Sequence, residues 1–178
     1  YRVLWTCEKD TAARTVLQHR FPQSVHLTDM LADDLLAQPA PDVLAGGTPC
    51  QGFSLAGLRG SLSDDRSNLC LRFCELANHF HGSFVLWENV PGVLSTADNA
   101  FGVFLAALVG ADTALLPSPV PEPGKTTPHW RWHRATRQHI VRWPRAGVVS
   151  GPRRTAAWRV LDAQYFGMAQ RRKRVFVV

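Results

Sequence analysis

A cysteine flanked by proline and glutamine, Pro49-Cys50-Gln51, closes the apolar run Asp42-Val-Leu-Ala-Gly-Gly-Thr48; further on come Glu88-Asn89-Val90 and Gln170-Arg171-Arg172-Lys173-Arg174. In that order the segments supply a thiol, a carboxyl group and a cluster of guanidinium groups. A thiolate can add to an electron-poor ring carbon and open a covalent route. A carboxyl group can hold a ring nitrogen or exchange a proton with it. Cations near Cys50, with Arg172 and Arg174 as candidates, would favour the thiolate, which is scarce at neutral pH for a thiol of free pKa about 8.5.

These groups need a scaffold that gathers them. Val3-Leu-Trp5 reads as the tail of a strand, and Asp10 to Arg20 carries helical spacing in Ala13, Val16 and Leu17. Val25-His-Leu27 is a short strand, and residues 42–46 a buried one. A Gly- and Ser-rich loop over 46–63 follows, able to bring backbone close to a ligand. A helix is predicted over 67–81, a strand over 83–87, and a helix over 98–109 capped near Thr96 or Asp98. This alternation argues for an α/β fold with a mostly parallel, doubly wound sheet, where ligands bind at the carboxyl ends of the strands. Glu8, Asp29, Pro49-Cys50 and Glu88 all fall at or just beyond such ends.

The C-terminal part differs. Prolines 117, 119, 121, 123, 128 and 144 break any helix over 117–155, and Trp130, Trp132 and Trp143 interleave with Arg131, Arg134, Arg137 and Arg142. This insertion or long loop could stack on bases and grip phosphates, or its tryptophans could cover a local apolar patch. Residues 158–163 and 174–178 read as strands of an antiparallel hairpin around Gly167, holding the basic cluster on a turn.

With 178 residues, 46% hydrophobic and 19% charged, the chain can build one domain with a sizeable core. It has no apolar run near the roughly 20 residues that cross a bilayer and no signal-peptide pattern at Tyr1-Arg2-Val3, so a cytoplasmic protein without a membrane partner is expected. Four cysteines without paired Cys-x-x-Cys spacing fit a reduced compartment. Cys70 and Cys74, four apart and followed by His79 and His81, read as core residues on one helix face, and no metal is expected. Charge is uneven: residues 1–116 hold 7 Lys and Arg against 12 Asp and Glu, a net of −5, and residues 117–178 hold 13 against 2, a net of +11. The basic end is the part suited to a polyanion.

Pro49-Cys50-Gln51, Glu88-Asn89-Val90 and the Gln-x-Arg-x-Arg of residues 170–174, in this order, resemble the DNA (cytosine-5) methyltransferase family. The resemblance implies a Rossmann-like, S-adenosylmethionine-dependent fold and methylation of cytosine carbon 5 in double-stranded DNA through a Cys50–C6 adduct, in a bacterial or phage-infected cell, with a cognate restriction nuclease as a partner it allows. It implies catalytic roles for Cys50, Glu88, Arg172 and Arg174, cofactor contacts at Glu8, Lys9, Asp29, Met30, Pro49 and Leu69, and nucleic-acid contacts at Gln51, Phe53, Ser54, Arg59 and Gln170. The target base would be flipped from the duplex, and the segment after Cys50 would close over it. The family's first strand with its Phe-x-Gly-x-Gly turn, its target-recognition domain and its last helical elements have no counterpart in the sequence, so the catalytic domain is expected to be partial and donor binding weak. Methylation of tRNA and a non-catalytic nucleic-acid-binding remnant are the alternatives.

Overall fold

A computed structural model describes residues 1–49 and 65–178, with the backbone alone for 65–68. Cys50, Gln51, Phe53, Ser54 and Arg59 lie outside the described residues. Strand β1 (Trp5–Cys7) leads through Asp10 into helix α1 (Thr11–Arg20) and back to β2 (Val25–Leu27), which pairs with β1 in parallel. Asp10 begins the helix because its carboxylate accepts the Ala13 N–H at 2.8 Å, satisfying a donor that the first turn leaves without a partner.

A second parallel unit follows: β3 (Val43–Gly46), helix α2 (Asp65–His79) and β4 (Phe84–Asn89), with β3 and β4 adjacent. Helix α3 (Ala100–Val109) comes next, then a separate hairpin of β5 (Trp130–His133) and β6 (Gln138–Val141). Strands β7 (Ala146–Ser150), β8 (Thr155–Asp162) and β9 (Lys173–Val177) complete a five-stranded sheet of order β3-β4-β9-β8-β7, antiparallel from β4 onward. The expected C-terminal hairpin is β8–β9, and β7 extends it by one strand.

Helix α3 is apolar on every side and nine of its ten residues are buried, as expected of a helix enclosed by other elements. Phe104 stacks on Trp87 of β4 with ring centroids 4.2 Å apart, and Phe101 meets Trp143 and Trp158 edge-on at 5.4 and 5.5 Å. Cys70 and Cys74 belong to this core, on one face of α2.

Two readings of the sequence change. Residues 42–46 were expected to form a buried strand, yet only Leu44 of β3 is fully buried, and Val43 is 53% exposed. The reason is that β1 and β3 are not hydrogen-bonded to each other, and a groove of about 450 Å³ lined by residues 1–5 and 41–45 runs between them. Over 117–155 the chain forms β5, β6 and β7, because its tryptophans are anchors: Trp130 and Trp143 are buried, and their indole N–H groups donate to Ser118 and to Asn99 Oδ1. These two rings are closed to bases; Trp132 is half-buried beside His139.

Candidate active site

The backbone leading into position 50 is held from two sides. Asn89 Nδ2 donates to the Thr48 carbonyl at 2.7 Å, Trp87 Nε1 donates to Thr48 Oγ1 at 3.0 Å, and Cys70 Sγ lies 2.7 Å from that hydroxyl and 3.5 Å from the Pro49 carbonyl. Buried polar groups satisfied in this way resist displacement, because breaking one contact strands its partner away from water. Thr48, Trp87 and Asn89 are buried, so the turn at the end of β3 is locked to β4 and α2. Nothing in the sequence pattern announces these partnerships, which join residues 21 to 41 apart.

Glu88 precedes Asn89 on β4 and points to the opposite face of the strand, as alternation requires. Its Oε1 forms an ion pair with Arg174, whose Nε lies 2.8 Å away, with an Arg172 guanidinium nitrogen at 4.0 Å. β9 supplies this pair because it runs antiparallel beside β4, with Glu88 opposite Phe176. A side chain at Gly47 would come within 3.4 Å of Glu88 Oε2, which places the second carboxylate oxygen beside the backbone of residue 47. Three sequence-predicted residues, Glu88, Arg172 and Arg174, thus meet on one rim next to Gly47-Thr48-Pro49. Pro49 is exposed there, and Gln170 is exposed in the loop before β9.

Asp162 fixes that loop. At the end of β8 its buried carboxylate accepts the Arg172 N–H at 3.1 Å, the Gln164 side-chain amide at 2.7 Å and the Gln164 N–H at 3.4 Å. Burial alone would raise its pKa, but the Gln164 and Arg172 hydrogen bonds, with Lys173 nearby, hold it below the ordinary value. The Gly167 turn beyond it has φ 83°, a conformation that suits glycine.

A cleft of about 780 Å³ opens at the carboxyl ends of β1, β2 and β3, lined by Glu8, Lys9, Asp29, Met30, Pro49 and Leu69 among others. All six predicted cofactor residues therefore share one cavity. Glu8 Oε1 accepts the Asp10 N–H and Asp29 Oδ1 the Leu31 N–H, and neither carboxylate forms an ion pair with a described residue. Two such carboxylates over an apolar wall of Met30, Leu69 and Phe73 suit a ligand with hydroxyl and amine donors and a flat apolar body. Gly46 makes room for that wall: a Cβ there would stand 2.6 Å from the Phe73 ring. Arg72, unremarked in the sequence, ties the Asp29 loop to α2 by donating to the Met30 and Ala32 carbonyls.

The other thiols suit nucleophilic work poorly. Burial first, then Asp29, Asp34 and Glu8, push the Cys7 thiol up to about 11, and burial pushes Cys74 well above the ordinary range.

A profile of the family described as C-5 cytosine-specific DNA methylase matches residues 1–112. A protein of Escherichia phage P1 named DNA N-6-adenine-methyltransferase is 50% identical over 190 residues, covering 99% of this chain and 25% of that protein. The type II methyltransferase M2.BsuMI of Bacillus subtilis is 28% identical across 97% of the chain and 34% of its own length. The chain thus spans about a quarter to a third of these relatives. A solved E. coli prophage protein described as a DNA modification methyltransferase superposes with a TM-score of 0.59 at 20% identity, over 98% of this chain and 39% of that one. This family's methyl donor is S-adenosylmethionine. With the family's profile matched from Tyr1 to Asp112, more than half of its length, the chain belongs to the C-5 cytosine-specific DNA methylase family.

Proposed function

We propose that this chain is the catalytic core of an enzyme that methylates carbon 5 of cytosine in DNA through a covalent bond from Cys50 to C6. Cytosine C5 is a poor nucleophile while the ring is aromatic. Addition of the Cys50 thiolate to C6 breaks that aromaticity and drives electron density toward C5 and N3. Glu88, with one oxygen paired with Arg174 and the other beside Gly47, would receive N3 and stabilise the charge that develops there. Arg172 supplies positive charge at the same rim for the thiolate or the target phosphate. S-adenosylmethionine, when bound, supplies an electrophilic methyl group. After transfer, loss of the C5 proton to a base lets the Cys50–C6 bond break and restores the ring.

The observation that carries this reading is the Glu88–Arg174 ion pair on the rim where Asn89 anchors the backbone two residues before Cys50. Glu8, Lys9, Asp29, Met30, Pro49 and Leu69 would hold the donor, and Gln51, Phe53, Ser54, Arg59 and Gln170 would contact DNA.

Adenine N6 methylation is a second reading, favoured by the name of the phage P1 relative. That name describes a protein about four times the length of the match, whereas a thiol with a paired carboxylate and arginine is chemistry that a ring carbon needs and an exocyclic amine does not. The test incubates the full protein with labelled methyl donor and either duplex DNA or tRNA, then quantifies 5-methylcytosine and N6-methyladenine in parent and Cys50→Ser. Label in DNA 5-methylcytosine that vanishes in the variant supports the proposal. N6-methyladenine alone, equal transfer to tRNA, or DNA binding without transfer overturns it.

A further inference from the structure

Between Glu122 and Asp162 the chain has no acidic residue and nine lysines and arginines. Within that stretch the β5–β6 hairpin forms a two-stranded sheet of its own, separate from the other two. Its root is fixed beside the candidate active site: the Trp143 N–H donates to the Leu94 carbonyl, in the 3₁₀ turn that directly follows β4 and Glu88. Trp130 and Val141, paired across the hairpin, are buried and seat it on the body of the protein.

What the hairpin turns outward is cationic. Arg131, paired across the strands with Ile140, and Arg142, two residues beyond Ile140, are exposed on the face opposite Trp130. Arg134 and Arg137 are exposed in the tip loop and border a shallow depression with Trp132, Pro123 and Gly124. Arg137 closes the tip in the left-handed region at φ 52°, which a non-glycine residue seldom adopts. None of these four arginines has a carboxylate partner among the described residues, whereas nearby Lys125 is spent on Glu122 at 2.7 Å. Such a concentration of exposed guanidinium groups without carboxylate partners among the described residues repels itself in isolation and is complementary to a row of phosphates.

We infer that the β5–β6 hairpin is a second, sequence-independent DNA contact, which grips backbone phosphates of the duplex beside the target base with Arg131, Arg134 and Arg137. This rests on the reading of the chain as a DNA methyltransferase, but the contact is one of binding and not of chemistry. Phosphate contacts position a protein on the duplex without reading its bases, so the hairpin fixes register at the active-site rim whatever the target sequence.

The test measures the affinity of the full protein for a duplex at several salt concentrations, for the parent, the triple variant Arg131→Gln/Arg134→Gln/Arg137→Gln and the corresponding triple Lys variant. Three lost phosphate contacts should make the slope of log K against log salt shallower by about 2.7, since each contributes about 0.9 on B-form DNA. The Lys variant should keep the parent slope, because charge and not fork geometry carries the effect, and Lys125→Gln should leave it unchanged. Circular dichroism verifies that the Gln variant folds; should it not, the three single Gln variants, each expected to lose about 0.9, decide the matter. An unchanged slope in the Gln variants, or an equal loss measured on tRNA or on anionic lipid vesicles, overturns the inference. The two proposals fail separately: a cytosine methyltransferase with an unchanged slope loses only the hairpin, and a shallower slope without cytosine methylation loses only the catalytic reading.

Discussion

Asn89 Nδ2 donates a 2.7 Å hydrogen bond to the carbonyl of Thr48, so the strand that carries the carboxylate of Glu88 also fixes the backbone entering Pro49-Cys50. The acid-bearing strand and the turn at Thr48 are thereby tied together. Asn89→Ala removes this bond and the acceptor of the Val90 N–H, leaving a buried carbonyl unsatisfied at a cost of about 1–3 kcal/mol. Thermal denaturation should register that loss. The rate of methyl transfer should fall on the order of 100-fold, because a displacement of about 1 Å in a positioned group costs that much.

Glu88→Gln keeps the shape of the side chain and removes the charge paired with Arg174. Loss of a positioned acid–base group lowers rates by roughly 10²–10⁴-fold, so single-turnover transfer should fall within that range while DNA affinity changes little. Arg174→Lys keeps the charge but loses the guanidinium geometry that brings Nε to 2.8 Å from Oε1, and it should impair turnover more than binding. A kcat/KM split across the two variants checks both.

The order thiol, carboxylate, arginines was legible in the sequence because each sits in a short motif at the end of an element, and the structure gathers Glu88, Arg172 and Arg174 as the motifs imply. Strands β2 and β4, helix α1 and the β8–β9 hairpin followed from apolar runs and punctuation by charged or turn residues. What was hidden depends on distant pairings. Cys70 looked like one more core residue, yet it touches Thr48; Arg72 drew no reading at all, yet it binds the loop bearing Asp29 and Met30. Strands β5 to β7 escaped notice because the prolines around them are loud signals and the burial of Trp143 is set by Phe101 of a helix more than 20 residues away.

Gly46→Ala places a methyl group where the Phe73 ring stands 2.6 Å away. The ring must move, and overpacking of this kind costs about 1–3 kcal/mol. Because Phe73 also lines the cleft, donor affinity measured by calorimetry on the full protein should drop along with the midpoint of thermal unfolding.

Two titrations bound the pH range of the fold. Asp162 is held below its ordinary pKa, so its contribution is present above the unfolded carboxylate value of about 3.9 and is lost as pH falls through the folded one. Cys7 is raised to about 11, so its contribution is present below the unfolded thiol value and fades as pH climbs toward 11. Denaturant titrations should find Asp162→Asn less sensitive than the parent to acid below that carboxylate value, and Cys7→Ala less sensitive to alkali between about pH 9 and 11.

The most direct measurement uses a duplex in which 5-fluorocytosine replaces the target base. Fluorine at C5 cannot leave as a proton does, so the Cys50–C6 bond formed before methyl transfer persists. Incubated with the full protein and methyl donor, digested and analysed by mass spectrometry, this duplex should yield one modified peptide carrying the nucleotide on Cys50, and none from Cys50→Ser. A parent protein that methylates cytosine yet leaves Cys50 unmodified, or a Cys50→Ser variant that still transfers methyl groups at the parent rate, contradicts the account.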